Sequence, residues 1–269
     1  MRRYAGSDYA LEFAGKLAGR LTAVEGGGVK ADVVSLMPGP DYLRLKHIGP
    51  VGYGPVKLEF QDNLTQPFLH WIAQAIARSA GRQEVAIIAA RAPGLESRAI
   101  AFEGSQISEV IFPALDAHSH DAVAFEATLQ PAKVRWETRP VESTAADARN
   151  PPPFRFRLSI DGADCSRVTK IDAISVRPAE PTPKAGGQSL ATSSQVVFEI
   201  PSRFAAPFEK WFSDPKAAPR NGYLSYTPRL RLDFSQLTVT RVTRDHNPTG
   251  PAAKSTIRLA CARFSLRVG

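Results

Sequence analysis

The chain has 269 residues, 43% of them apolar and 22% charged, with a net charge of +8 and only two cysteines, Cys165 and Cys261. This is ordinary globular usage for about two domains, and it excludes whole-chain disorder, a coiled coil and a disulfide-stapled scaffold. The longest apolar run, residues 85–90, is too short to cross a bilayer, and the start Met1-Arg2-Arg3 lacks the apolar stretch of a signal peptide, so cytoplasmic assembly without membrane insertion is expected.

Taken in chain order, the first half reads mainly as strands. Residues 9–13 alternate apolar and polar or small side chains, as a half-buried strand does. Gly15 and Gly19 bracket a turn, a strand resumes at Leu21, and Gly26-Gly27-Gly28 marks a bulge or bend before the strand that starts at Val29. Met37, Pro38, Gly39, Pro40, Asp41 and Tyr42 fall in a loop, followed by strand candidates at 43–48 and 56–62. One helix follows. Residues 63–66 offer N-cap side chains, Pro67 suits the first turn, and Gly81 is the expected stop. Phe68, Trp71, Ile72, Ala75 and Ile76 recur at i, i+3, i+4, i+7 and i+8, one apolar stripe that packs on a sheet. Further strands are expected at 85–90, 98–102, 107–112 and 122–129.

Residues 138–153 are polar, lack periodicity and end in Pro151-Pro152-Pro153, which marks a linker between a domain at 1–137 and a second at 154–269. The second half opens on the alternating strand 154–160, turns at Asp161-Gly162 and resumes over 168–176. Residues 178–194 read as a long loop, 196–200 as a strand, and 207–214 as a short helix stopped by Pro215. Asn221-Gly222 reads as a hairpin turn, before strands at 223–226, 229–243 and 255–268.

The two halves match in order. Phe13-Ala14-Gly15 aligns with Ile160-Asp161-Gly162 at an offset of 147, and Phe68, Trp71 and Ile72 align with Phe208, Trp211 and Phe212 at 140. Ser105-Gln106-Ile107-Ser108 aligns with Ser235-Gln236-Leu237-Thr238 at 130. A falling offset fits a tandem duplication whose second repeat has shorter loops.

Residues 1–137 carry 14 basic and 15 acidic side chains, whereas 138–269 carry 20 and 11, so the positive excess belongs to the second half. Arg155 and Arg157, Arg229 and Arg231, and Arg263 and Arg267 alternate with apolar residues, which puts them on one sheet face. Such a face suits a polyanion or plain solvent, and a basic β-domain that binds nucleic acid is the alternative reading of function. The glycine triplet lacks the spacing of a phosphate or dinucleotide loop. Asp116, His118, His120 and Asp121 have metal-ligand character, but no partner cluster is visible and a polar loop explains them equally. Asp161, Asp164 and Cys165 sit close together, but no His lies near them in sequence, and both cysteines are expected as structural thiols. No catalytic motif and no cofactor site emerges, and no enzymatic activity is expected.

Residues 11–19 (LEFAGKLAG), 24–33 (VEGGGVKADV), 45–53 with Lys46-His47-Ile48-Gly49, Trp71-Ile72, and 107–116 with Phe112-Pro113 resemble the tail tube family of contractile phages and phage-like particles. The resemblance spans about residues 9–136; the second half has the Ile160-Asp161-Gly162 turn but no Lys-His-Ile-Gly equivalent and a shorter helix. The resemblance implies a mainly β fold, here two tandem β-barrel or sandwich domains, each with one flanking helix. It also implies a structural subunit of a tail-like particle that assembles with itself into stacked rings and meets sheath, baseplate or other tail proteins. DNA or an effector would pass through the lumen. The loop from Met37 to Tyr42 is the candidate for contact with the next ring. Two tube-like domains per chain close a pseudo-six-fold ring from three chains; six chains with the second domains outside are the other option.

Overall fold

The computed structural model describes residues 4–36, 45–89, 96–119, 123–140, 156–178, 195–244 and 253–269. Eighteen strands and two α-helices follow one another as β1 (Tyr4–Phe13), β2 (Lys16–Gly26), β3 (Val29–Leu36), β4 (Leu45–Tyr53), β5 (Val56–Phe60), α1 (Gln66–Ile76), β6 (Gln83–Ala89), β7 (Glu96–Phe112), β8 (Leu115–Asp116), β9 (Phe125–Gln130), β10 (Lys133–Pro140), β11 (Arg157–Ile160), β12 (Lys170–Ile171), β13 (Ile174–Val176), β14 (Gln195–Pro201), α2 (Ala206–Ser213), β15 (Arg220–Ser225), β16 (Leu230–Arg244), β17 (Lys254–Ala260) and β18 (Arg263–Val268). The fold is mainly β, with one helix in each half.

In the first half the strand order β7-β6-β1-β2-β5-β9 closes on itself because β9 also pairs with β7, and closure leaves no free edge in that ring of six strands. In the second half, among the described residues, the order β11-β15-β16-β17-β14-β12 does not close. Strands β5, β9, β14 and β17 alternate buried and less buried residues, the period-2 pattern of a strand with one face on a core.

The backbone shows the duplication directly. Ala14 N–H donates to Glu84 O at 3.2 Å, and Asp161 N–H donates to Asn221 O at 2.9 Å, positions 147 and 137 residues apart in the two halves. β6 slips in register against β7 between Gln83 and Val85, and β15 slips against β16 between Arg220 and Gly222. Ala132 N–H donates to Glu103 O, and Ala262 N–H to Ser235 O; beside them Gly104 and Gln236 take φ values of 60° and 55°. This shared kink puts Glu103 opposite Ser235, an offset of 132 where the sequence alignment gave 130. A slip of two residues keeps every side chain on its own face, so pattern alone does not detect it.

Several local expectations change. The hairpin turn is Ala14-Gly15, with φ of 49° and 77°, and Gly19 lies inside β2. The helix starts after Thr65, which has extended φ/ψ and makes no side-chain cap bond, and ends at Ala77. Arg78 takes the left-handed conformation at φ 61° while Ser79 N–H closes on Gln74 O at 2.9 Å, so an arginine does the work expected of Gly81. Residues 98–102 and 107–112 are one strand, β7, with the kink at Gly104 between them. Asn221-Gly222 is no turn: Gly222 sits in β15 opposite Ile160 and Phe234, and a Cβ there would come within 2.5 Å of Ser159 O. Glycine is needed for close approach of two strands, not for chain reversal.

Two compact units emerge in space. One holds Met1–Glu59, Gly81–Ile107 and Thr128–Ala146; the other holds Phe60–Ala80, Ser108–Ala127 and Asp147–Gly269. They differ from a division at residues 137 and 154 by two segments of the first half. Within the second unit α1 lies against β18, Arg229 Nη2 donates to Leu64 O at 3.3 Å, and Gln66 Nε2 donates to Gly269 O. Phe60, Phe112, Phe125 and Tyr226 form an aromatic cluster there, with Phe112 and Tyr226 centroids 5.5 Å apart and Phe60 and Phe125 stacked at 6.0 Å.

Candidate assembly surface

β3 and β4 form a separate two-stranded ribbon. Directly opposed residues of an antiparallel pair project to the same face. Val29 opposes Tyr53, Ala31 opposes Val51 and Val33 opposes Ile48, so one face carries a continuous apolar row. That row is in water: Ile48 is 78% exposed, Val29 66%, Val33 62% and Val51 54%. A lone two-stranded ribbon is marginal in water, and an exposed apolar row of this kind marks an interaction surface. Covering a Val or Ile side chain fully yields about 1.5–3 kcal/mol before ordering costs. The ribbon is anchored at its base, where Gly27 N–H donates to Pro55 O at 3.0 Å and Gly54 N–H to Gly28 O at 2.8 Å.

Lys46, His47, Ile48 and Gly49 all lie on β4, with Lys46 exposed at the pair with Ser35 and His47 exposed at the pair with Val34. Met37, Pro38, Gly39, Pro40, Asp41 and Tyr42 lie outside the described residues. Trp71 and Phe112 are buried and belong to the core: Trp71 packs on Phe68 at 5.7 Å, and Phe112 meets Phe125 at 6.1 Å. Pro113 is half-buried just after β7. The quoted segments thus divide into packing residues and ribbon residues. Sequence reasoning missed Val29, Val33 and Val51 as surface groups. The available signal was Val29, Ala31 and Val33 at alternate positions of β3, opposite Tyr53, Val51 and Ile48 of β4. It also missed Trp136 on β10, 71% exposed and opposite Ile100.

The arginines fall on the sheet β11-β15-β16-β18. Arg157 opposes Ser225, Ser225 opposes Arg231, and Arg231 opposes Arg267, one row across four strands. Leu158, Leu224, Leu232 and Leu266 fill the buried face beneath. Asp233 accepts from Arg231 Nε at 2.7 Å and from Arg267 Nε at 2.5 Å, and the Arg231 guanidinium covers the Tyr223 ring at 3.7 Å. The row is therefore partly neutralised. Arg263 is exposed on β18, Arg229 is half-buried and tied to Leu64, and Arg155 lies outside the described residues.

Both cysteines are buried. Burial pushes the Cys165 thiol up to about 12, against weaker help from an Ile160 backbone hydrogen bond, and burial also raises Cys261. Neither is poised as a thiolate nucleophile. Asp116 Oδ1 accepts the His118 N–H at 2.8 Å, a local turn contact. His120 and Asp121 lie outside the described residues, and among the described ones no three His, Cys, Asp or Glu side chains group as metal ligands. No described helix is long and apolar enough to cross a membrane.

No protein-family model and no curated protein sequence matches the chain. Solved structures are similar to parts of it. A chain of the sheath–tube complex of an extracellular contractile injection system, PVC, in the extended state is 17% identical over 49% of this chain and 90% of its own, with a TM-score of 0.42. A chain of the sheath/tube terminator of PVC is 16% identical over 50% of this chain and 96% of its own, with a TM-score of 0.42. A chain of the anti-feeding prophage cap, a tube-terminating cap, is 14% identical over 52% of this chain and 94% of its own, again at 0.42.

Proposed function

We propose that this chain is a structural subunit of a phage-tail-like tube, either the ring-forming tube protein or an adaptor at its end. It has no catalytic role and joins a phage or phage-like particle assembled in the cytoplasm. The observation that carries the reading is the ribbon β3–β4, whose apolar face stands exposed on the segments that resemble tail tube proteins. The duplicated fold supports two quasi-equivalent places per chain, filled by the domains at 1–137 and 154–269 in a ring of three chains. Sheath, baseplate or other tail proteins are the expected partners, and DNA or an effector the expected cargo of the lumen.

Negative-stain electron microscopy of the purified chain tests this. Rings or tubes are expected from the native sequence, and loss of them from the double variant Val33→Asp, Ile48→Asp with unchanged far-UV circular dichroism. Single chains only, at every concentration, would contradict the reading, as would normal tubes from the variant.

A second reading, nucleic-acid contact, draws support from the row of Arg157, Arg231 and Arg267. Salt separates the two. Phosphate contacts weaken steeply with salt, whereas ring closure through strand pairing and apolar contact persists.

A further inference from the structure

A bulge in β16 sets two arginines side by side. Val239 opposes Leu259, so a regular ladder would next bring Thr240 opposite Arg258. The register slips between Val239 and Arg241, and Arg241 takes that place instead. An inserted residue of this kind re-aims a side chain. Directly opposed residues share one face with their Cβ atoms about 4.5–5.5 Å apart, and like charges there are destabilising. Their surroundings do not relieve them. Among the described residues neither Arg241 nor Arg258 has a side-chain hydrogen bond or an ion pair, and Arg258 Nε is buried without an acceptor. A buried donor left unmet costs free energy, more so on a charged group. Glu199, on the same face opposite Thr256, is held by Lys254 at 3.3 Å and by Lys170 at 3.9 Å. Other arginines of this half are answered: Arg231 and Arg267 by Asp233, Arg244 by Glu209 and Arg177 by Glu109.

The duplicated fold does not require the pair. At the offset of 132 Arg241 stands where Glu109 stands in β7, and Glu109 accepts from Ser175 Oγ at 2.6 Å and from Arg177 Nε at 3.0 Å. The first repeat thus has a bonded carboxylate where the second has an unpaired cation. Two positions along the same strands, about 7 Å away, Thr243 opposes Thr256, so two hydroxyls share the face with the two guanidinium groups. Two guanidinium forks and two hydroxyls offer more donors than the two oxygens of one carboxylate take up. A phosphate group presents three or four oxygens and up to two negative charges, which match two unpaired arginines. We propose that Arg241 and Arg258 bind a phosphate group, with Thr243 and Thr256 at its edge. The ligand chemistry is that of phosphate, either free or on a phosphodiester backbone. The site goes beyond the ring reading and stands without it.

Thermal unfolding of the full-length chain tests it. Replacing chloride by sodium phosphate at matched pH and ionic strength should raise the native melting temperature by about 2–4 °C. Arg241→Gln and Arg258→Gln should each lose most of that rise. A control with Lys210→Gln and Lys216→Gln, which removes two exposed charges elsewhere in the same half, should keep it. Arg241 is exposed, so its variant decides the matter if Arg258→Gln fails to fold. A fluorescent oligothymidylate separates the two sources. Oligonucleotide binding weakened tenfold or more by Arg241→Gln assigns the site to a phosphodiester backbone, and a phosphate response without oligonucleotide binding assigns it to free phosphate. No rise in the native chain, or an equal rise in Arg241→Gln (an adventitious ion only), would overturn the site.

Discussion

In the first repeat β1 and β2 pair from Phe13–Lys16 at the turn to Tyr4–Val24 at the far end, with irregularities between Ala5 and Tyr9 and between Leu11 and Glu12. In the second the same hairpin starts with a single bridge, Ile160 to Ala163, and then opens. The cause lies just past the turn. Where the first repeat has Leu17 and Ala18, the second has Asp164 and Cys165. Asp164 Oδ1 accepts the Ser166 N–H at 2.9 Å, and Val168 N–H closes on Cys165 O at 3.1 Å, so a side chain captures the backbone into turns. That backbone hydrogen bond is also what holds the Asp164 carboxyl below its ordinary value. The strand that left its own hairpin becomes available elsewhere: β12 pairs with β8, and β13 with β7. One repeat is closed and complete, and the other is open and uses its loose strand to bind the first.

If the repeats are equivalent in their cores, equal cuts should hurt equally. Phe68→Ala and Phe208→Ala each remove a fully buried ring from the corresponding position of α1 and α2, and each should cost about 3–5 kcal/mol in urea unfolding. A large gap between the two would break the equivalence. Gly222→Ala tests a difference instead. The first repeat places Val85 there, but in the second a Cβ would meet Ser159 O at 2.5 Å, and about 1–3 kcal/mol should be lost to overpacking. Gly15→Ala and Gly162→Ala should each lose about 1 kcal/mol, because both turns need positive φ, at 77° and 69°. The smallest effect belongs to a contact found on α2. Glu209 accepts both Arg244 Nε and Nη2 at 2.7 Å, and the Arg244 hydrogen bonds hold its carboxyl below the ordinary value. A carboxylate lowered on folding stabilises above its unfolded value and loses that contribution as pH falls through the folded one. Glu209→Gln should therefore cost about 0.2–1 kcal/mol at pH 7, and nothing once the medium is acid enough to protonate the native side chain.

Much of this was legible in the sequence. Alternation located the strands, the apolar stripe located α1, and ordered matches revealed the duplication, because each is a local periodicity. Three things were not. Gly222 carries a turn signature, Asn-Gly, but is spent on close strand approach, which only the neighbour Ser159 reveals. The offset at β7 and β16 was out by two, because a two-residue slip leaves the faces unchanged. The move of β13 onto β7 is a pairing between residues more than sixty positions apart, set by the Asp164 turn and invisible to any window of sequence. On the surface, the Lys46-His47-Ile48-Gly49 segment pointed to the ribbon, yet the exposed partners Val29, Val33 and Val51 emerged only from the strand register.

The mass of the assembled particle tests the account most directly. Light scattering on purified rings should give three chains per ring, each chain filling two of six quasi-equivalent places. Six chains per ring would contradict the equivalence of the repeats, and a monodisperse single chain at high concentration would contradict self-assembly itself.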